Sequence, residues 1–359
     1  MQYFILKDAL FVQVLTDIPQ SARMAPSELT AIFSSLSSLR VGVIGDFAVD
    51  LYFAIDKNSG EYSIETGKAV HWGSRPQASL GGAGNVVANL AALGISGISV
   101  FGCTGNDLYG REMRHLFQQV GADTHSLLAP AQGWDTCTYI KPMAGPTEEN
   151  RIDFGTRNTL PDEGFTTLLQ NLRNQLPYLD VLIINQQFLS PLVTAERVGK
   201  LNTLMALYPN CRFVADLRHH GNAIRGAILK VNTKELAVLR GIDHPDTPSL
   251  DWCSEHGRAL NEHIQGPVLI TRGEQGIAYV DGPDVQVIDG LALTGELDTV
   301  GAGDTVVATF SACIGAGVSP AQAIEIANLA AAVTVQKLHQ TGTASPDEIL
   351  ALTRLPLAQ

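Results

Sequence analysis

Three features of this 359-residue sequence predict an α/β fold, a mostly parallel sheet with helices on both faces and a small β lid. From residue 40 onward, short apolar runs ending in glycine or a polar residue alternate with segments of helical spacing. Buried parallel strands joined by helices read this way. Two polar, glycine-bearing stretches of short period, about 51–80 and 134–158, interrupt the alternation. Hydrophobic residues make up 45% and charged residues 17%, which supplies a large core and argues against disorder.

Residues 1–38 read as an N-terminal helical extension, with Leu29, Ile32, Phe33 and Leu36 at helical spacing behind Ser27 and Glu28. The main domain runs 39–359. Its first strand is the apolar run Arg40–Gly45, closed by Asp46. The first interruption holds Gly60, Gly67, Gly73 and Pro76 and reads as short strands and turns outside the main sheet. Gly81-Gly82-Ala83-Gly84-Asn85 then opens a helix carrying Val86, Leu90 and Leu93, with Gly94 as its stop. A strand at 98–102 and a helix at 110–120 follow. In the second interruption, 137–141 and 150–154 read as two strands of a ribbon, and pairing of the two insertions would make one lid sheet. Strands at 181–185, 212–216, 227–232 and 267–271 then alternate with helices at 190–207 and 234–239. No repeat or linker divides the domain.

The formal net charge is -12, which disfavours nucleic acid and anionic lipid as partners but leaves room for a small anion held by local arginines. The five cysteines form no CxxC pair, as expected of reduced thiols. Lys7, Asp8 and Asp17 interrupt the apolar N-terminus, so it lacks the form of a signal peptide. A cytoplasmic protein with no membrane partner is expected.

The most informative segment is Asp298-Thr299-Val300-Gly301-Ala302-Gly303-Asp304, leading into an apolar helix. Its glycines let the backbone turn tightly and aim successive N–H groups at one spot where a helix begins, a ready anion site. Asp304 could simply cap that helix. An anion hole beside a carboxylate is also what phosphoryl transfer to a hydroxyl needs, with charge stabilisation at the phosphate and an acceptor for the proton.

This segment resembles the signature of the PfkB/ribokinase family of carbohydrate kinases, and the resemblance extends over roughly 40–350. Gly45-Asp46 points to the bacterial heptose-phosphate kinase branch. The resemblance implies a ribokinase-like fold, ATP and Mg²⁺ as cofactors, a sugar or sugar phosphate as acceptor, and a homodimer as one assembly open to the chain. Asp304 would be the base, and the amides of Gly301, Ala302 and Gly303 the anion hole. Gly81, Gly82 and Asn85 would lie against the sugar, with Asp50 and nearby Asp46 accepting from its hydroxyls. Asn232 and Glu235 would organise Mg²⁺ and phosphates, partly through water; the same spacing also makes an ordinary helix cap. Thr271, Gly273 and Gly276 match the loop at the nucleotide's edge, and Asn328 lies on the helix beside the adenine. Some relatives use K⁺ near the position of Asp298. Arg151, in a strand-like run of the second insertion, would hold a substrate phosphate.

Two departures stand out. The N-terminal extension is unusual, and Asp216-Leu217-Arg218-His219-His220 replaces the Asp-Pro-Lys type sequence of a heptose-phosphate kinase. Three alternatives remain open at this point: a kinase of a nucleoside or other small alcohol, a catalytically silent sugar-binding protein on the same fold, and a nicotinamide-dependent oxidoreductase. The last would need GxGxxG after the first strand, where Gly45-Asp46-Phe47 stands.

Overall fold

The computed structural model describes residues 24–130, 133–145, 147–338 and 342–353. Strand β1 (Arg40–Gly45) runs almost directly into β2 (Phe47–Asp56), which leaves for the lid with β3 (Trp72–Gly73) and β4 (Gln77–Gly82). The body resumes with β5 (Gly97–Cys103) and β6 (Leu127–Leu128). The lid then takes β7 (Cys137–Ala144), β8 (Thr147–Glu148) and β9 (Ile152–Phe154). The remaining strands are β10 (Val181–Gln186), β11 (Arg212–Leu217), β12 (Ile228–Asn232), β13 (Val268–Thr271), β14 (Ile277–Asp281) and β15 (Asp284–Ile288).

Nine strands form the main sheet in the order β15-β14-β13-β12-β11-β10-β1-β5-β6. Pairing is parallel from β6 through β13 and antiparallel for the hairpin β14–β15 at the edge. Parallel strands need both faces covered, and β10 shows it, since Val181 to Gln186 are all buried. Helices α1 (Pro26–Leu36), α2 (Ala83–Ala92) and α3 (Leu108–Gln119) pack on one face. Helices α4 (Asp162–Gln175), α5 (Ala195–Met205), α6 (Thr233–Arg240) and α7 (Leu250–Ile264) cover the other. The chain then returns to the first face with α8 (Ala302–Gly315), α9 (Pro320–Thr334) and α10 (Pro346–Thr353). Thr305 to Cys313 of α8 are buried without a break, because the helix lies between the sheet and the alanine-rich α9. Each fully buried Leu, Ile or Phe of this layer contributes about 1.5–3 kcal/mol relative to exposure.

The described part of the N-terminal extension is built into the body. Leu29 and Leu36 of α1 are fully buried in the core that holds α8 and α10, and the Met24 N–H donates to Glu325 Oε1 at 2.7 Å. Residues 1–23 lie outside the described residues. The helix expected over 190–207 begins only at Ala195, because residues 187–192 are held in a loop and Thr194 supplies the cap. Helices α4 and α7 and the β14–β15 hairpin were not anticipated from the sequence.

The two polar insertions do meet. β2 pairs with β7 in parallel, with Asp50 opposite Tyr139, and so joins β3, β4, β8 and β9 into one six-stranded lid sheet. β1 lies between β5 and β10, where the order of strand addition reverses. In open α/β sheets the crevice at the carboxyl ends of such strands is where ligands bind, and the lid rises from this place. Among the described residues no helix is long and apolar enough to cross a membrane.

Candidate active site

Asp304 stands in the first turn of α8, above the carboxyl ends of the central strands. Gly301, the residue before the helix, has φ 81°, a left-handed conformation costly for any residue with a Cβ. At the helix start the Ala302 N–H donates to the Thr299 carbonyl at 3.3 Å and the Thr305 N–H to the Gly301 carbonyl at 3.0 Å, while Gly303 and Asp304 stand where a helix offers its amides no intrahelical partner. The Asp304 carboxylate is clamped by two amide side chains. Oδ2 accepts from Asn85 Nδ2 of α2, and Oδ1 accepts from Gln187 Nε2 beyond β10, each at 2.8 Å.

Below α8, alternation along the strands brings charged groups inward. A Cβ on Gly303 would come within 3.3 Å of Lys230 Nζ, so the lysine lies immediately against the Gly301–Asp304 turn. Lys230 is buried on β12 and pairs with Asp216 of β11, its register neighbour, at 3.2 Å, and with Glu235 at 4.0 Å. Burial opposes the Lys230 charge, but Asp216, Glu235 and Asp304 outweigh it and raise its pKa. Burial is also the largest influence on Asp304, pushing it up to about 6 against the lowering effects of Asn85, Lys230 and Gln187. A carboxylate tuned near neutrality, beside a buried cation and a helix N-terminus, can accept a proton while an anion is stabilised next to it.

Asn232 and Glu235 make a reciprocal capping box at the start of α6, each bond 2.8 Å. The capping role is thus present in the structure, and it leaves the Glu235 carboxylate within reach of Lys230. Thr271 is the register neighbour of Asn232 at the end of β13, and Gly273 and Gly276 form the turn that follows. Asn328, on α9, donates to the Asp289 carbonyl at 2.9 Å and ties that helix to the loop after β15.

On the lid side, Asp50 of β2 is buried and pairs with the buried Lys141 of β7 at 3.0 Å. Lys141 also donates to the Tyr52 hydroxyl at 2.7 Å. Gly81 packs against this carboxylate, since a Cβ there would meet Asp50 Oδ2 at 2.8 Å. Gly82 lets the chain pass Asp46 closely as α2 begins, and a Cβ on it would meet the Asp46 carbonyl at 2.4 Å. Tyr139 and Phe188 stand edge to face beside this pair, and the Arg151 guanidinium lies 4.5 Å from the Tyr139 ring centre.

Three further residues expected at the substrate are engaged within the protein, the first being Asn85, whose Nδ2 donates to Asp304 and whose Oδ1 accepts from Asn89 at 3.2 Å. Both Asp46 oxygens accept backbone N–H groups, from Gln187 at 2.9 Å, Phe188 at 3.0 Å and Leu192 at 2.7 Å, so this carboxylate is turned into the protein. Arg151 forms a two-pronged pair with Asp153, at 2.6 and 2.8 Å. Sequence reasoning passed over Lys230 and Gln187, although each leaves a trace. Lys230 is a lone lysine in a strand otherwise apolar up to Asn232, and Gln186-Gln187 ends the apolar run of β10.

A doubly covered parallel sheet, a lid over its switch point and a carboxylate at a glycine-turned helix start define a phosphotransferase that acts on an alcohol. The chain belongs to the pfkB family of carbohydrate kinases, whose sequence profile, described as "pfkB family carbohydrate kinase", matches residues 39–348. The ATP-dependent sugar-kinase class and the ribokinase-like fold expected from the sequence stand with that match. Among curated relatives, the "Bifunctional protein HldE" of Magnetococcus marinus is 31% identical over 334 residues, covering 89% of this chain and 64% of that protein. The protein of the same name from Hyphomonas neptunium is 30% identical over 334 residues, covering 90% of this chain and 65% of its own length. The chain spans just under two thirds of the length of these relatives. Among solved structures, phosphofructokinase-2 from Escherichia coli in complex with potassium superposes with a TM-score of 0.70 at 17% identity, covering 88% of this chain and 98% of that one. Arabidopsis thaliana ribokinase complexed with ribose and ATP gives 0.65 at 18% identity, covering 89% of this chain and 99% of that one. At such identities the likeness shows the fold.

Proposed function

We propose that this chain transfers the γ-phosphate of ATP to a hydroxyl of a sugar or sugar phosphate, with Asp304 as the base. The observation that carries this is the Asp304 carboxylate, held between Asn85 and Gln187 beside Lys230 at the glycine-turned start of α8. As the acceptor oxygen bonds to phosphorus and the bond to the β-phosphate oxygen breaks, its proton passes to Asp304 and ADP leaves. The α8 amides and Lys230 offset the charge on the transferred group. Asp50 and Lys141 offer an acceptor and a donor to other hydroxyls of the sugar. The lid keeps water from acting as acceptor.

The donor set suits a largely hydrated divalent ion better than a protein cage, since Glu235 already accepts from the Asn232 N–H and Asp216 is paired with Lys230. Among the described residues no group of three or more His, Cys, Asp or Glu side chains could hold a metal ion. Mg²⁺ bound mainly to nucleotide phosphates and waters near Glu235 and Asn232 fits this sparse set, where it would neutralise phosphate charge. Potassium near Asp298 belongs to the same proposal, as does a cytoplasmic setting. A homodimer is also part of it, and the exposure of Tyr62, Ile64, Trp72 and Ile152 in the two insertions supports a partner surface in the lid.

The test is a panel of free and phosphorylated sugars, nucleosides and other small alcohols, offered with MgATP and scored by ADP release. Release with a sugar or sugar phosphate is expected. Release with a nucleoside alone would move the acceptor class, and no release with any member would return the silent binding protein.

A further inference from the structure

Asp46 and the Arg218-His219-His220 segment have no place in the transfer step, yet both lead to its base. We infer that Gln187 is the positioning residue that aims the Asp304 carboxylate, and that Asp46 and Arg218 hold Gln187 in place by its main chain. This rests on the kinase reading of Asp304.

The geometry runs through one residue. The Gln187 side chain donates to Asp304 Oδ1 at 2.8 Å. Its main chain is gripped on both sides: the N–H donates to Asp46 Oδ2 at 2.9 Å, and the C=O accepts from Arg218 Nη1 at 3.2 Å. Asp46 also gathers the N–H groups of Phe188 and Leu192, so the whole 187–192 loop is wrapped around one buried carboxylate. The neighbouring Gln186 completes the tie, with Nε2 donating to the Val193 carbonyl at 2.8 Å and Oε1 accepting from the His219 N–H at 2.9 Å. The ends of β1, β10 and β11 are thereby joined at the point from which Gln187 reaches the base.

A loop residue free of such ties would sample several rotamers, and its amide would face Asp304 only part of the time. Fixed main-chain bonds remove that freedom, and the donor then holds one carboxylate oxygen while leaving its remaining lone pair for the acceptor hydroxyl. A second role follows from the chemistry of the bond. An N–H donated to a carboxylate favours its charged form, so Gln187 also keeps the base ready to take a proton. The charged groups facing Asp304 are Lys230 and Asp216 from the sheet below, while His219 faces Asp46; Asn85 and Gln187 are neutral donors. The segment that departs from Asp-Pro-Lys thus has work of its own, since Arg218 secures the Gln187 carbonyl and the His219 amide secures Gln186.

The test needs neither sugar nor nucleotide. The full chain is titrated with pH while difference infrared spectra follow the protonated-carboxyl stretch, and the Asp304 contribution is the band missing in Asp304→Asn. In the unsubstituted protein its midpoint is expected near 6. Gln187→Met keeps the shape and removes the donor, and should raise that midpoint by about one pH unit. Asp46→Asn should raise it by less, in the same direction. The double variant should match Gln187→Met alone, because Asp46 acts through Gln187. Should Asp46→Asn fail to fold, Arg218→Met tests the second tether and leaves the buried carboxylate intact. A Gln187→Met midpoint equal to that of the unsubstituted protein, with or without a loss of Tm, overturns the proposal. A sugar panel without ADP release would instead sink the kinase reading and leave this titration standing.

Discussion

On the body side of the cleft, Lys230 and Asp216 are buried in the central strands, and Asp304 opens a helix packed on both sides. On the lid side, Lys57 and Arg151 pair with Glu149 and Asp153 while 44% and 45% of their side-chain surface stays exposed. The lid also leaves Ile64 and Trp72 uncovered. A buried charge is fixed by the cost of separating it from its partner, whereas an exposed pair contributes little and exchanges partners readily. Under the proposed function, the chemistry would fall to the wall that cannot rearrange and the reading of the acceptor to the wall that can. Among the described residues Asp50–Lys141 breaks the pattern, as a buried pair inside the lid.

The largest expected effect tests the body side. Asp304→Asn should lower kcat by about 10²–10⁴-fold with ATP affinity retained, because it removes the proton acceptor and keeps the shape. Near-normal turnover on the true acceptor would take Asp304 out of the mechanism. In the unsubstituted enzyme, kcat should rise with pH through about 6, as the base loses its proton. Stability should run the other way. Because burial raises the Asp304 pKa above that of the unfolded chain, its charge costs folding energy that is absent at pH 4 and fully present above about 6. Asp304→Asn should therefore raise Tm at pH 8 and leave it nearly unchanged at pH 4, which thermal melts at the two values would show.

Lys230→Met separates structure from chemistry on the same wall. It strands Asp216 in the core, and removing one partner of a buried pair costs about 3–5 kcal/mol, read as a lower denaturation midpoint. The double variant Lys230→Met/Asp216→Leu should regain much of that stability while turnover stays low. Turnover that returned together with stability would make Lys230 structural only.

These contrasts also explain what was legible in the sequence. The Gly301-to-Asp304 turn could be read because one short segment supplies both the backbone geometry and the carboxylate, whereas Asn85, expected at the sugar, donates to Asp304 across 219 residues. Asp216–Lys230 and Asp50–Lys141 could not, because each pair is made by strands far apart in the chain and no local spacing marks it. Asp46 was legible as a strand-end carboxylate but its partners were not, since such a group can face a sugar or a loop, and the choice depends on where residues 187–192 fold. Helices α4 and α7 were missed although Asp162, Glu163 and Ser249 stand at their starts, signals too weak to read beside the glycine motifs.

Within the lid, Lys141→Met should raise the KM for the acceptor about tenfold or more and change kcat less, since it leaves Asp50 buried without its cation in the place where hydroxyls are read. Equal losses in kcat and kcat/KM, with KM unchanged, would place Lys141 in the transfer step instead.

The smallest stability effect, and the most discriminating one for the acceptor, belongs to Arg151. Its pair with Asp153 is exposed, so Arg151→Ala should shift stability by no more than about 1 kcal/mol. Two outcomes at the acceptor then compete. If Arg151 exchanges Asp153 for a phosphate on the sugar, the gain is a bidentate bond to a more highly charged anion, and the substitution should cut kcat/KM for the phosphorylated sugar about tenfold more than for the free one. The stacking of its guanidinium on Tyr139, beside Phe188, supports this reading, because it holds the arginine over the aromatic wall whichever anion it binds. If Asp153 keeps it, both forms should lose equally, by a few-fold at most. Measuring the four kcat/KM values decides between them, and equal losses would leave Asp50 and Lys141 as the groups that read the acceptor, with no call for a phosphate.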